Sequence, residues 1–119
     1  MQVLAHHIYE YKKGVRHLVL HTLDASYRKD AELKLQHQGI DYLIQEVTDS
    51  KINIFFGDKD CVDIVREIGN KKLNDFTPEE DFVLGTMLGY DRLQQCKRYL
   101  NKKQKERNFL FNMMLQRRA

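Results

Sequence analysis

The stretch Ile52-Asn53-Ile54-Phe55-Phe56-Gly57 decides how this chain is read. The run Ile-Asn-Ile-Phe-Phe reads as a central strand. Gly57 and Asp58 then end the strand and cap a helix in which Val62, Val65 and Ile68 line one side before Gly69-Asn70 stops it.

Upstream, Tyr42 to Val47 forms a second run, joined to the first by Thr48-Asp49-Ser50-Lys51, whose residues suit a β-hairpin turn. Before it, Asp24 or Ser26 caps a helix with Tyr27, Ala31 and Leu35 on one face, ended by Gly39 and Ile40. Residues 15 to 23 read as another strand, with Val15, Val19 and Leu23 on one side and Leu18 and Leu20 on the other. Residues 3 to 13 place Leu4, His7, Ile8 and Tyr11 on one helical face, closed by Lys12-Lys13-Gly14.

Downstream, Thr77-Pro78-Glu79-Glu80 carries an N-cap hydroxyl, a proline at the first helical position and a glutamate that completes a capping box. The helical region that follows presents Phe82, Val83, Met87 and Leu88, then Leu93, Cys96 and Leu100. Gly89 between them predicts a bend or a break into two helices. Gly85 and Gly89 match G-x-x-x-G, which in water points to close helix approach.

The chain has 119 residues with 42% apolar and 31% charged content, enough for one core and too little for two. One α+β domain is expected over residues 1–103, with residues 104–119 as a basic and apolar helical extension. No run approaches the ~20 apolar residues of a membrane span, and no signal-peptide pattern opens the chain, so a cytoplasmic, soluble protein is expected. Cys61 and Cys96 lie outside any paired spacing and read as two buried thiols rather than a disulfide or zinc knuckle. The net charge is +3, but residues 102 to 119 hold six cations against Glu106, which is +5, leaving −2 on the remainder.

The order β-α-β-β-α predicts a three-stranded antiparallel sheet, order 1-3-2, related to a truncated ferredoxin-like core, with about five helices in all. Two helices covering one face would leave the other in need of the terminal helices or a second subunit, so a homodimer is expected.

His6 and His7, with His17 and His21, invite a metal reading. His17 and His21 would stand ~13 Å apart along one strand, too far for one ion, so no metal and no cofactor is assigned. Cys61, near a helix N-terminus, is a possible reactive thiol opposed by Asp58, Asp60 and Asp63. Arg92, Gln95, Arg98 and Tyr99 within two turns, together with His6, His7 and Tyr11, are the candidate ligand-binding residues. Phe109 to Leu115, flanked by basic clusters, is read as packing against protein rather than membrane or nucleic acid.

His6-His7-Ile8-Tyr9-Glu10-Tyr11-Lys12-Lys13-Gly14, the Ile52 to Gly57 strand, Glu79-Glu80-Asp81-Phe82, Leu84 to Asp91, Gln95-Cys96 and Arg98-Tyr99-Leu100 together resemble a bacterial family of about 120 residues known only as a domain of unknown function. The resemblance spans roughly residues 4 to 101. It implies three strands, five helices and a homodimer, and it supplies no catalytic residue, cofactor or substrate. The leading expectation is therefore a non-enzymatic homodimeric module that binds a protein or small ligand. The alternatives are a small enzyme or metal-dependent protein with a His/Tyr/Arg/Cys site at the subunit interface, and nucleic-acid binding through the basic tail.

Overall fold

The computed structural model describes residues 1–118. Helix α1 (Gln2–Lys12) leads into strand β1 (Leu18–Asp24); a 3₁₀ turn and α2 (Arg28–His37) lead to β2 (Asp41–Glu46) and β3 (Lys51–Gly57). Then follow α3 (Lys59–Ile68), a second 3₁₀ turn, α4 (Pro78–Met87) and α5 (Arg92–Arg118). The sheet is antiparallel in the order β1-β3-β2, with Ile54 between His21 and Ile44 in register. The α+β class and the central place of β3 are as the apolar pattern predicts.

Each face of β3 has its own core. On one, Ile52, Ile54 and Phe56 pack with Val19 and Leu23 under Leu4 and Ile8 of α1 and Ala31 and Leu35 of α2. On the other, Phe55 and Leu18 pack under Val62 and Val65 of α3, Phe76, and Leu84 of α4. The molecule is a three-layer α/β/α sandwich, closed on both faces by its own helices. Of the covers expected for the second face, the terminal helices or a second subunit, the N-terminal helix α1 is one the structure supplies, through Leu4 and Ile8. Because α2 and α3 lie on opposite faces, the arrangement does not establish a ferredoxin-like relation.

Several local expectations also shift. β1 begins at Leu18, so Val15, 67% exposed, lies outside the strand, as do Arg16 and His17. Asp24 accepts from the Ser26 backbone N–H at 2.9 Å and caps the 3₁₀ turn, which leaves Tyr27 exposed rather than on the inner face. Cys61 is half-buried and Cys96 exposed, so two buried thiols are not found.

Thr77 and Glu80 form the capping box at α4. The helix ends where the Gly89 N–H bonds the Thr86 carbonyl and the Tyr90 N–H bonds the Gly85 carbonyl. This closure turns the chain through the left-handed region, and Gly89 supplies φ +81° there. The Asp91 carboxylate accepts from the Gln94 N–H at 3.0 Å and starts α5. The region is therefore two helices, and the second runs without a break through residue 103.

The expected apolar stripe of α5, Leu93, Cys96 and Leu100, faces away from α4. Gln95, Arg98, Tyr99 and Lys103 face α4, meeting Gly85, Asp81, Phe82 and Glu79 in turn. Leu93, Cys96 and Leu100 point to solvent. Beyond Lys103 the helix has run past the start of α4, and every residue from Arg107 to Arg117 is exposed. At 1.5 Å per residue that projection is roughly 22 Å. It accounts for extents of 59 × 33 × 22 Å and a radius of gyration of 17.1 Å, against the ~13–14 Å of a compact chain this long.

Because the two faces are separate cores, Ile54→Ala and Phe55→Ala are each expected to lower the unfolding free energy by roughly 2–5 kcal/mol in urea titrations. A loss under about 1 kcal/mol for either would mean that its face is not packed as described.

Candidate functional site

The candidate residues do not converge on one pocket. α1 carries His6, His7 and Tyr11 over the face shared with α2, whereas Gln95, Arg98 and Tyr99 lie with α4 beyond the opposite face. They form three separate groups.

The first centres on Asp58, which the sequence reading used as a helix cap and as a charge opposing Cys61. Gly57 has φ +150°, and a Cβ there would overlap the His17 carbonyl, so only glycine lets β3 leave the sheet so close to that residue. The Asp58 N–H then donates to the His17 carbonyl at 2.8 Å. Its carboxylate accepts from the Tyr11 hydroxyl at 2.9 Å and faces His17 Nδ1 at 2.7 Å. The His17 and Tyr11 hydrogen bonds hold the Asp58 carboxyl below the ordinary range. Burial, and then Asp58 itself, pushes the Tyr11 phenol up to about 12. Burial, Asp58 and Asp60 push the Cys61 thiol up as well. Both oxygens of the Asp58 carboxylate are thus engaged, one by the Tyr11 hydroxyl and one by His17 Nδ1. The cluster pins α1, the entry to β1 and the start of α3 together.

The second group is a histidine pair. The His7 and His21 rings stand 5.1 Å apart, tilted by 57°, and His7 Nδ1 is buried without a partner. His6 turns away to Glu10, with Nε2 2.8 Å from the carboxylate. Among the described residues no group of three or more His, Cys, Asp or Glu is arranged to hold a metal.

Burial first, then Arg16, lowers the His7 pKa; burial, then His7 and the N-terminal amine, lowers that of His21. Both values lie below the usual 6.5 in the folded chain, so the unfolded chain takes up protons first as pH falls. Their contribution is complete above pH 6.5 and is lost as pH drops toward the folded values. Thermal melts from pH 7.5 to 5 should show Tm falling below pH 6.5, and the His7→Gln/His21→Gln double variant should flatten that slope. An unchanged slope in the variant would assign the loss to other groups.

The third group lines a crevice of about 310 Å³ between Leu20 of β1, the Leu73–Phe76 segment, α4 and the first turns of α5. Arg98 is fixed by two bonds to Asp81, at 2.7 and 2.9 Å. Gln95 is 4% exposed, and its Oε1 has no hydrogen-bond partner. A Cβ at residue 85 would overlap the Gln95 amide, so Gly85 is the seat that admits it. A glycine inside a helix costs about 1 kcal/mol, and an unsatisfied buried amide oxygen about 1–3 kcal/mol. Sequence reasoning named Gln95 and Arg98 but took Gly85 for general helix packing. Arg92, also named, is exposed at the start of α5 and lines none of these groups.

Residues 2–102 match the model of a family described as protein of unknown function (DUF2023). No curated protein matches the chain.

Proposed function

The chain belongs to the DUF2023 family of proteins of unknown function, and we propose that it works as a non-enzymatic association module whose docking element is α5 and whose partner is a second copy of the chain. The observation that carries this reading is the outward apolar surface of α5. Leu93 and Leu100 are 62% and 66% exposed, Phe109 and Phe111 are 65% and 61% exposed, and Leu110, Met113, Met114 and Leu115 are exposed beside them. At ~100 Å² each, these eight side chains leave on the order of 800 Å² of apolar surface in water. That exceeds the few hundred Å² usual on a monomer and equals one partner's share of a standard interface.

The projecting segment has no tertiary support, and isolated helices of ~15 residues are marginal in water. From Phe109 to Leu115 the apolar groups occupy more than half of the circumference, the pattern of a helix enclosed by protein rather than lying on a surface.

Charge favours a second copy as the occupant. Residues 92–118 hold nine cations against Glu106, which is +8; the other residues hold eleven cations against sixteen acids, which is −5. A basic arm on an acidic body complements the body of another copy. Among the described residues no helix is long and apolar enough to cross a membrane.

Sedimentation velocity tests this directly. The full chain is expected to run as a dimer at micromolar concentration, whereas a chain ending at Lys103 and the Phe111→Asp/Met114→Asp variant should run as folded monomers. A monomeric full chain at 100 µM (roughly 5.5 kcal/mol of association or less), or a truncated chain that still dimerises, would contradict it.

A further inference from the structure

We propose that the crevice walled by Leu20, Phe76, Gly85, Gln95, Arg98 and Lys102 is a binding site for a small planar nitrogen heterocycle bearing a carboxylate. The site is independent of the self-association carried by the outer face of α5.

The chain gives up stability at two positions to place one group. Gly85 stands inside helix α4, where a larger residue would collide with the Gln95 amide, yet that amide, buried almost completely, leaves its oxygen unpaired. A leucine at residue 95 would fill the same space without that defect. Retaining an unsatisfied amide at the wall of a crevice is explained by a ligand that completes it. The terminal amide torsion is soft, so the oxygen can turn from the Gly85 backbone toward the crevice.

The walls define what fits. A carboxamide offers an acceptor beside two donors, matched by a ring N–H adjacent to a carbonyl or a ring nitrogen. Leu20, Leu73, Phe76, Leu84 and Leu88 supply an apolar slot for the flat body of such a ring. Lys102 makes no ion pair among the described residues, while the Arg98 fork is already occupied by Asp81, so the free charge is one ammonium, suited to one carboxylate. A volume of about 310 Å³ is at the lower end for ligand pockets and admits one or two fused rings but not a nucleotide.

Orotate and indole-2-carboxylate are suitable probes, titrated into the ¹⁵N-labelled full-length protein. Saturable shifts are expected at the Gln95 side-chain amide and at the Gly85 and Leu88 backbone amides. Affinity should fall at least tenfold in Gln95→Leu and in Lys102→Met, and stay unchanged in Gln104→Leu on the exposed arm. Gln95→Leu should also raise Tm, because it removes an unsatisfied group; a purely structural amide would lower Tm on replacement. The proposal is overturned if neither probe saturates, if Gln95→Leu binds as tightly as the native protein, or if Gln95→Leu lowers Tm.

Discussion

The double-sided burial of β3 is the constraint on which the rest of the structure depends. Ile52, Ile54 and Phe56 require cover on one face and Phe55 on the other, so helices must be distributed to both. A chain with one central strand and five helices meets this by placing α1 and α2 on one side and α3 and α4 on the other. α5 is then the helix for which no sheet surface remains. It packs on α4 through its polar side and carries its apolar side outward.

This division also explains where the chemistry sits. The layers separate α1 from the α4–α5 hairpin, so the histidines and Tyr11 cannot share a pocket with Gln95 and Arg98. Tyr11, His17 and Asp58 are spent on joining three elements at the exit of β3, a place fixed by the close approach at Gly57. His7 and His21 occupy the seam between α1 and the sheet. The Gln95 crevice combines an apolar slot, an unpaired polar group and the Lys102 ammonium.

The strands, the hairpin, the capping box at Thr77 and the glycine stops were legible because each rests on local chemistry: period-two apolar residues, a hydroxyl cap, a turn that needs positive φ. The outward direction of α5 was not. Helical spacing shows that Leu93, Cys96 and Leu100 share a face, but which face turns inward depends on what α4 presents. There Gly85, Asp81, Phe82 and Glu79 fit Gln95, Arg98, Tyr99 and Lys103 better than they fit leucine. The pairing of Asp58 with Tyr11 and His17 was invisible for the same reason, since it joins residues 47 and 41 positions apart. Both sheet faces are covered by the chain's own helices, whereas α5 leaves Leu93, Leu100 and the Phe109–Leu115 side chains in water.

Hydrogen exchange across a dilution series reports most directly on whether the body is self-sufficient and the arm is not. Amides of β3 should keep the same high protection at every protein concentration, while those of residues 104–118 lose theirs on dilution. Protection of β3 that falls together with the arm would show that the sandwich itself needs a partner. Protection of the arm that survives dilution would show that the helix stands without one.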